Sequence, residues 1–242
     1  MVSKADLDYI SRIVEECFSE NDLTLDLRGR FLGDDGIPAL LQCPQLKVIE
    51  NLDLTKNQIS WRGAKQLFIC EMPRIKRLYI GENPIGDRGV RFLKESPFAS
   101  QLVNLDLRYS EIGVIGGTVL AKSDKFRKLQ VLILQENEIT DATLVALASN
   151  KAFSNIRKLN IYKTQVTDLG VKALAKSRGY KKLKHLNLAR NVIRKDGALA
   201  LSQAKFLPSL ETLMMFDTFI GDEGTQALLN SKGFTLKTLR LT

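Results

Sequence analysis

Leu186-Asn187-Leu188-Ala189-Arg190-Asn191-Val192-Ile193 decides the fold of this chain, because the same pattern recurs from end to end. Each copy reads leucine-x-leucine, two more residues, a small polar residue, and an aliphatic residue two positions on. Leu52, Leu54, Asn57 and Ile59 form one copy, and Leu132, Leu134, Asn137 and Ile139 another. The first leucines fall at Leu25, Leu52, Leu78, Leu105, Leu132, Leu159, Leu186, Leu213 and Leu239, in steps of 27, 26, 27, 27, 27, 27, 27 and 26 residues. So steady a period marks a stacked array, one elongated body in which each repeat touches its neighbours.

Each leucine pair reads as a short strand, with both leucines on one face and the residue between them on the other. One such strand cannot bury its apolar face alone, so stacking must build a parallel sheet over a continuous leucine core. The polar residue follows: Asn57, Asn83, Asn137 and Asn191, replaced by Ser110, Thr164 and Thr218, and by Arg30 in the first copy. Here the chain turns inward, and a buried amide can satisfy the backbone groups that lose their partners. Helix-start chemistry comes next, as Gly86-Asp87, Thr140-Asp141, Thr167-Asp168 and Gly221-Asp222, with apolar residues then recurring at helical spacing. An aromatic residue precedes most later strands (Phe98, Phe126, Phe153, Tyr180, Phe206, Phe234) and is expected to plug the core.

These residues resemble the leucine-rich repeat family, in its ribonuclease-inhibitor-like branch. The likeness is carried by Leu-x-Leu-x-x-Asn-x-Ile with the Asp and Gly that follow, well kept over 78–89 and 186–197, and it covers about residues 23–242. It implies an α/β leucine-rich repeat solenoid, a horseshoe with parallel strands on the concave face and helices on the convex face. The spacer Glu95-Ser96-Pro97-Phe98 resembles bacterial members. That implies a bacterial scaffold or effector, acting in the cytoplasm or delivered into a host cytosol.

The two ends differ from the repeats. Residues 1–22 are expected to form a capping helix, with Ser3 as N-cap and Leu7, Ile10, Ile13, Val14, Cys17 and Phe18 as its apolar face. Residues 23–242 form one continuous array, eight full repeats and a final strand that stops at Thr242. That end carries no cap, so either the native chain continues or this edge meets another molecule. The first residues lack the apolar run of a signal peptide, and no stretch approaches the roughly 18 apolar residues of a membrane span. Cys17, Cys43 and Cys70 suit a reducing compartment, and the lone His185 leaves no His/Cys cluster for zinc. Neither a metal nor a cofactor is expected.

If the leucines point inward, the residues between and beside them face a partner. Tyr79, Arg108, Tyr109, Ile133, Gln135, Tyr162, Lys163, Asn187, Arg190, Met214 and Phe216 then form a strip in which aromatic, Arg and Met side chains, typical of interfaces, are exposed. The column that starts Asp26, Asp53, Tyr79, Asp106 changes character along the chain and is expected to be a solvated wall. Charge is polarised: residues 1–121 carry 15 Lys+Arg and 17 Asp+Glu, a net of −2, and residues 122–242 carry 21 and 10, a net of +11. The reading is a monomeric, non-enzymatic interaction module whose protein partner turns an acidic region toward the C-terminal half. A first alternative is a polyanion, nucleic acid or anionic lipid, along a basic rim of Lys125, Arg127, Lys128, Arg157, Lys181, Lys182 and Lys184 in repeats 4–7. A second comes from the resemblance, since some ribonuclease-inhibitor-like horseshoes activate small GTPases; Arg28, Arg108 or Arg190 would then face a phosphoryl group. No phosphate-binding glycine loop and no Gly-x-Ser-x-Gly elbow is present.

Overall fold

A computed structural model describes residues 4–231 and 237–241. Ser3, Phe234 and Thr242 lie outside the described residues. The repeat strands are β2 (Thr24–Asp26), β3 (Asn51–Asp53), β4 (Arg77–Tyr79), β5 (Asn104–Asp106), β6 (Val131–Ile133), β7 (Lys158–Asn160), β8 (His185–Asn187), β9 (Thr212–Met214) and β10 (Thr238–Arg240). They pair in parallel and in chain order, with Leu25, Leu52, Leu78, Leu105 and their successors directly in register. The leucines from Leu25 to Leu213 are buried in one core.

A helix returns the chain after almost every strand: α2 (Gly33–Leu40), α3 (Trp61–Phe68), α4 (Gly86–Glu95), α5 (Val114–Ala121), α6 (Thr140–Ser149), α7 (Asp168–Lys176), α8 (Lys195–Ser202) and α9 (Gly221–Leu229). Strands pack about 4.8 Å apart and helices about 8–10 Å apart. A stack with one layer of each must therefore curve, with the strands inside. Phe98, Phe126, Phe153, Tyr180 and Phe206 are buried plugs, as the sequence implies. Tyr180 donates its hydroxyl to the Leu147 carbonyl at 3.0 Å.

The asparagine ladder is present. Asn137 Oδ1 accepts from the Ser110 and Ile112 N–H groups, while its Nδ2 donates to the carbonyls of Leu107, Leu134 and Gln135. Asn83 and Asn191 do the same between their own repeats, and Asn57 accepts from the Leu32 N–H and donates to the Leu27, Leu54 and Thr55 carbonyls.

The aspartates at the helix starts behave differently from expectation. Four of them cap the next repeat's helix rather than their own, while Thr167 caps its own by accepting from Leu169 N–H. Asp34 Oδ1 accepts from Ser60 and Gly63 N–H, Asp87 from Gly113 and Gly116, Asp141 from Thr167 and Gly170, and Asp168 from Arg194 and Gly197. The glycine leaves room for that bond: a Cβ at Gly63 or Gly197 would stand 2.5 Å from the capping Oδ1.

The N-terminal helix α1 is Lys4–Cys17, with Ile10, Ile13 and Val14 buried against the first repeat. Phe18 does not continue it. Phe18 and Ser19 form β1, antiparallel to β2, which the helical reading of this segment missed. An edge strand left bare offers unpaired backbone groups, and two extended residues cover β2.

Candidate concave binding surface

The strand column is less open than the sequence implies. Asp53 and Asp106 are buried, so the expectation of a solvated wall fails there. Much of the column is structural. Asp26, Asp53, Asp106, Asn160 and Asn187 each turn a side-chain oxygen back to the N–H two residues on, at 2.9–3.1 Å. Asp and Asn favour this local turn, which closes each strand.

The acidic end is internally paired. Arg28 Nη2 lies 2.5 Å from Asp53 Oδ2, and Arg108 Nη2 lies 2.6 Å from Asp106 Oδ2. Arg108 reaches this place by lying over Gly81, where a Cβ would meet its Cγ at 2.8 Å. Burial pushes the Asp106 carboxyl above its usual range, and the Arg108 N–H and charge only partly oppose this. Arg190 bonds Asp217 at 2.9 Å, so Arg28, Arg108 and Arg190 all hold carboxylates of this chain.

The C-terminal half is built otherwise. Tyr162 and Phe216 are equivalent residues two repeats apart, yet their rings meet with centroids 6.2 Å apart. The residue between them is the buried Ala189, small enough for the rings to close over it. The Arg190 guanidinium sits 5.7 Å from the Tyr162 centroid. Beside this cluster lies an open depression of about 450 Å³, lined by Lys158, Asn160, His185, Asn187, Thr212 and Met214. Tyr79, Ile133, Asn187, Met214, Tyr162 and Phe216 are half-buried, not fully exposed. Gln135 accepts from Asn160, and Lys163 pairs with Glu136 at 2.6 Å. Tyr109 is the exposed aromatic of the strip, at 46%. Its φ of 49° is left-handed, as at the equivalent Lys56, Glu82, Glu136, Lys163, Arg190 and Asp217.

The helix-to-strand loops stack through backbone bonds from Arg157 N–H to the Gln130 carbonyl and from Lys184 N–H to the Arg157 carbonyl. Lys125, Arg127, Lys128, Arg157, Lys181 and Lys182 are exposed there. Lys184 is half-buried and paired with Glu211 at 2.5 Å, and Lys182 donates to Asn155. Lys184 and Lys237 together hold the Glu211 carboxyl down to about 2. Beside these, a depression is lined by Arg178, Lys181 and Lys205. Lys205 escaped the sequence reading because it stands alone between apolar neighbours.

The profile of the Leucine Rich repeat family matches residues 127–148 and 181–202, each one strand and its helix. No curated protein matches the sequence. Among solved structures, internalin C2 of Listeria monocytogenes is similar over 98% of this chain and 93% of its own, with 22% identity and a TM-score of 0.59. A TLR13–ssRNA13 complex is similar over 84% of this chain, with 18% identity and a TM-score of 0.49; this chain spans 30% of that one. The fold is the α/β leucine-rich repeat solenoid. Among the described residues, no helix is long and apolar enough to cross a membrane.

Proposed function

We propose that this chain is a recognition module that grips a protein partner with the C-terminal half of its concave wall. The observation that carries the reading is the Tyr162–Phe216 pair closed over Ala189, with Arg190 on the tyrosine ring. Tyr and Arg are the anchors that dominate protein interfaces, and here they sit on a rigid sheet beside an open depression. A preformed wall loses little backbone entropy on binding. The net charge of +11 over residues 122–242 steers an acidic region of the partner toward this half. Tyr79, Arg108, Ile133 and Gln135 extend the surface toward the N-terminal half, and Tyr109, Lys163, Asn187 and Met214 complete it.

A full α-helix in the repeats, ten residues in α4 and α6, supports the ribonuclease-inhibitor-like branch. Three free thiols support a reducing compartment, the cytoplasm of a bacterium or of a host that receives the protein as an effector. The chain acts as a monomer, an array of residues 23–242 behind the cap of residues 1–22, and carries no catalysis.

The test is affinity capture from lysate with wild type and with a Tyr109→Ala/Tyr162→Ala/Phe216→Ala variant. A protein held only by wild type supports the reading. Equal recovery by both forms sinks it. A second reading has one specific support: Arg178, Lys181 and Lys205, which form no ion pair among the described residues, would hold a polyanion. Recovery of nucleic acid by both forms, lost steeply with added salt, would establish the rim instead.

A further inference from the structure

The convex side of the second and third repeats carries an arrangement that the concave reading does not use. Trp61, the chain's only tryptophan, opens α3, and two guanidiniums stand close to its indole ring. Arg62 Cζ and Arg88 Cζ are each 4.9 Å from the ring centroid. Arg62 and Arg88 are equivalent residues of adjacent helices. Lys65 and Arg91, also equivalent to each other, follow one turn on. Lys65 Nζ sits 5.5 Å from the centroid of Phe92. Neighbours three apart on one helix are about 5–6 Å apart, and packed helices about 8–10 Å, so the four cations form a compact square.

All four are exposed, and none forms an ion pair with a described residue. The carboxylates of these helix starts are taken: Asp34 holds the N–H groups of Ser60 and Gly63, and Asp87 those of Gly113 and Gly116. Asp35, the α2 equivalent of Arg62, makes no ion pair with it. The square therefore has no internal counter-charge, although residues 1–121 carry a net of −2. Aromatic faces gather like charges that would otherwise spread apart. Two guanidiniums held by one indole present planar forks that match carboxylates.

We propose that this face docks a carboxylate-rich segment of a partner protein. Trp61 is half-buried and its ring is already engaged by two guanidiniums of this chain, which leaves little of the indole for stacking on nucleic acid bases or anchoring in a bilayer interface. Trp and Arg are also the residues that dominate protein hot spots.

Trp61 supplies its own reporter. A twelve-residue glutamate peptide is titrated into the protein at low salt, followed by tryptophan emission and by calorimetry. Saturable binding that weakens with salt is expected, with at least about a tenfold loss in an Arg62→Gln/Arg88→Gln variant. A Tyr162→Ala/Phe216→Ala variant should bind the peptide as wild type does, which separates this face from the concave one. Absence of binding, equal binding by the Arg62→Gln/Arg88→Gln variant, or tighter binding of phosphatidylserine vesicles or a single-stranded DNA twelve-mer overturns the proposal.

Discussion

At the scale of single residues, the fold rests on side chains that finish the backbone's hydrogen bonding. Asn137 fills five backbone groups from inside the core. Replacing it with alanine strands donors and acceptors that water cannot reach, each costing about 1–3 kcal/mol. Asn137→Ala should therefore lose about 3 kcal/mol or more in urea unfolding, well above a typical point substitution. This role is legible in the sequence, since a polar residue at one fixed offset from buried leucines has few other uses. Asp106 is not legible in that way. Its burial depends on Arg108 folding across Gly81, a contact between repeats that no spacing encodes. Because burial raises its folded pKa, the native state holds this proton more tightly than the unfolded chain does. Its ionisation thus opposes folding at neutral pH, and the penalty is relieved as pH falls through its raised folded value toward the unfolded one. Asn160 and Asn187 make the same local turn without a charge. Asp106→Asn should keep the turn and flatten the stability–pH curve on the acid side, measured by chemical denaturation from pH 3 to 7. An unchanged curve would refute the assignment.

At the scale of elements, neighbouring helices are coupled by one aspartate and one glycine. Helix-start chemistry is evident from the sequence, but which helix each aspartate caps is not, because the partner lies a full repeat away. Alanine in place of a helical glycine normally gains about 1 kcal/mol. At Gly197 the new methyl would strike Asp168 Oδ1. Gly197→Ala should instead destabilise by about 1–3 kcal/mol. Asp168→Ala alone removes the bonds to Arg194 and Gly197 N–H and should cost about 1 kcal/mol. In the double variant the Oδ1 clash is gone and only the tight approach to Ile193 Cγ2 at 2.8 Å remains, so the two losses should fall short of additive by more than about 0.5 kcal/mol in a mutant cycle. Strict additivity would mean that the pair does not touch. The short β1 escaped the sequence for a related reason: Phe18 fits the helical periodicity, and only the open edge of β2 draws it out.

At the scale of the whole molecule, the period specifies a stack, and the stack specifies how stability spreads. Every strand bonds only to the strands beside it, so cooperativity passes from neighbour to neighbour. The sequence reports net charge by halves, but not which charges cancel: the acidic end closes on its own arginines, while the cations of α3 and α4 stay open. Coupling along the stack need not be even either. Leu186 and Leu213 are buried, whereas Leu239 and Leu241 are only partly so. Opening β10 exposes little apolar surface that was not already wet, and it breaks pairing with β9 alone. Opening β6 breaks pairing on both sides and exposes Leu132 and Leu134, which are fully buried. Amide hydrogen exchange should therefore be graded, fastest in β10 and slowest through β5–β7. Asn137→Ala should raise exchange most in repeats 4 and 5, whose backbone groups it strands, and least in α1. Uniform protection along the sheet, or a uniform rise in the variant, would mean that the stack opens as one unit and that the nearest-neighbour account is wrong.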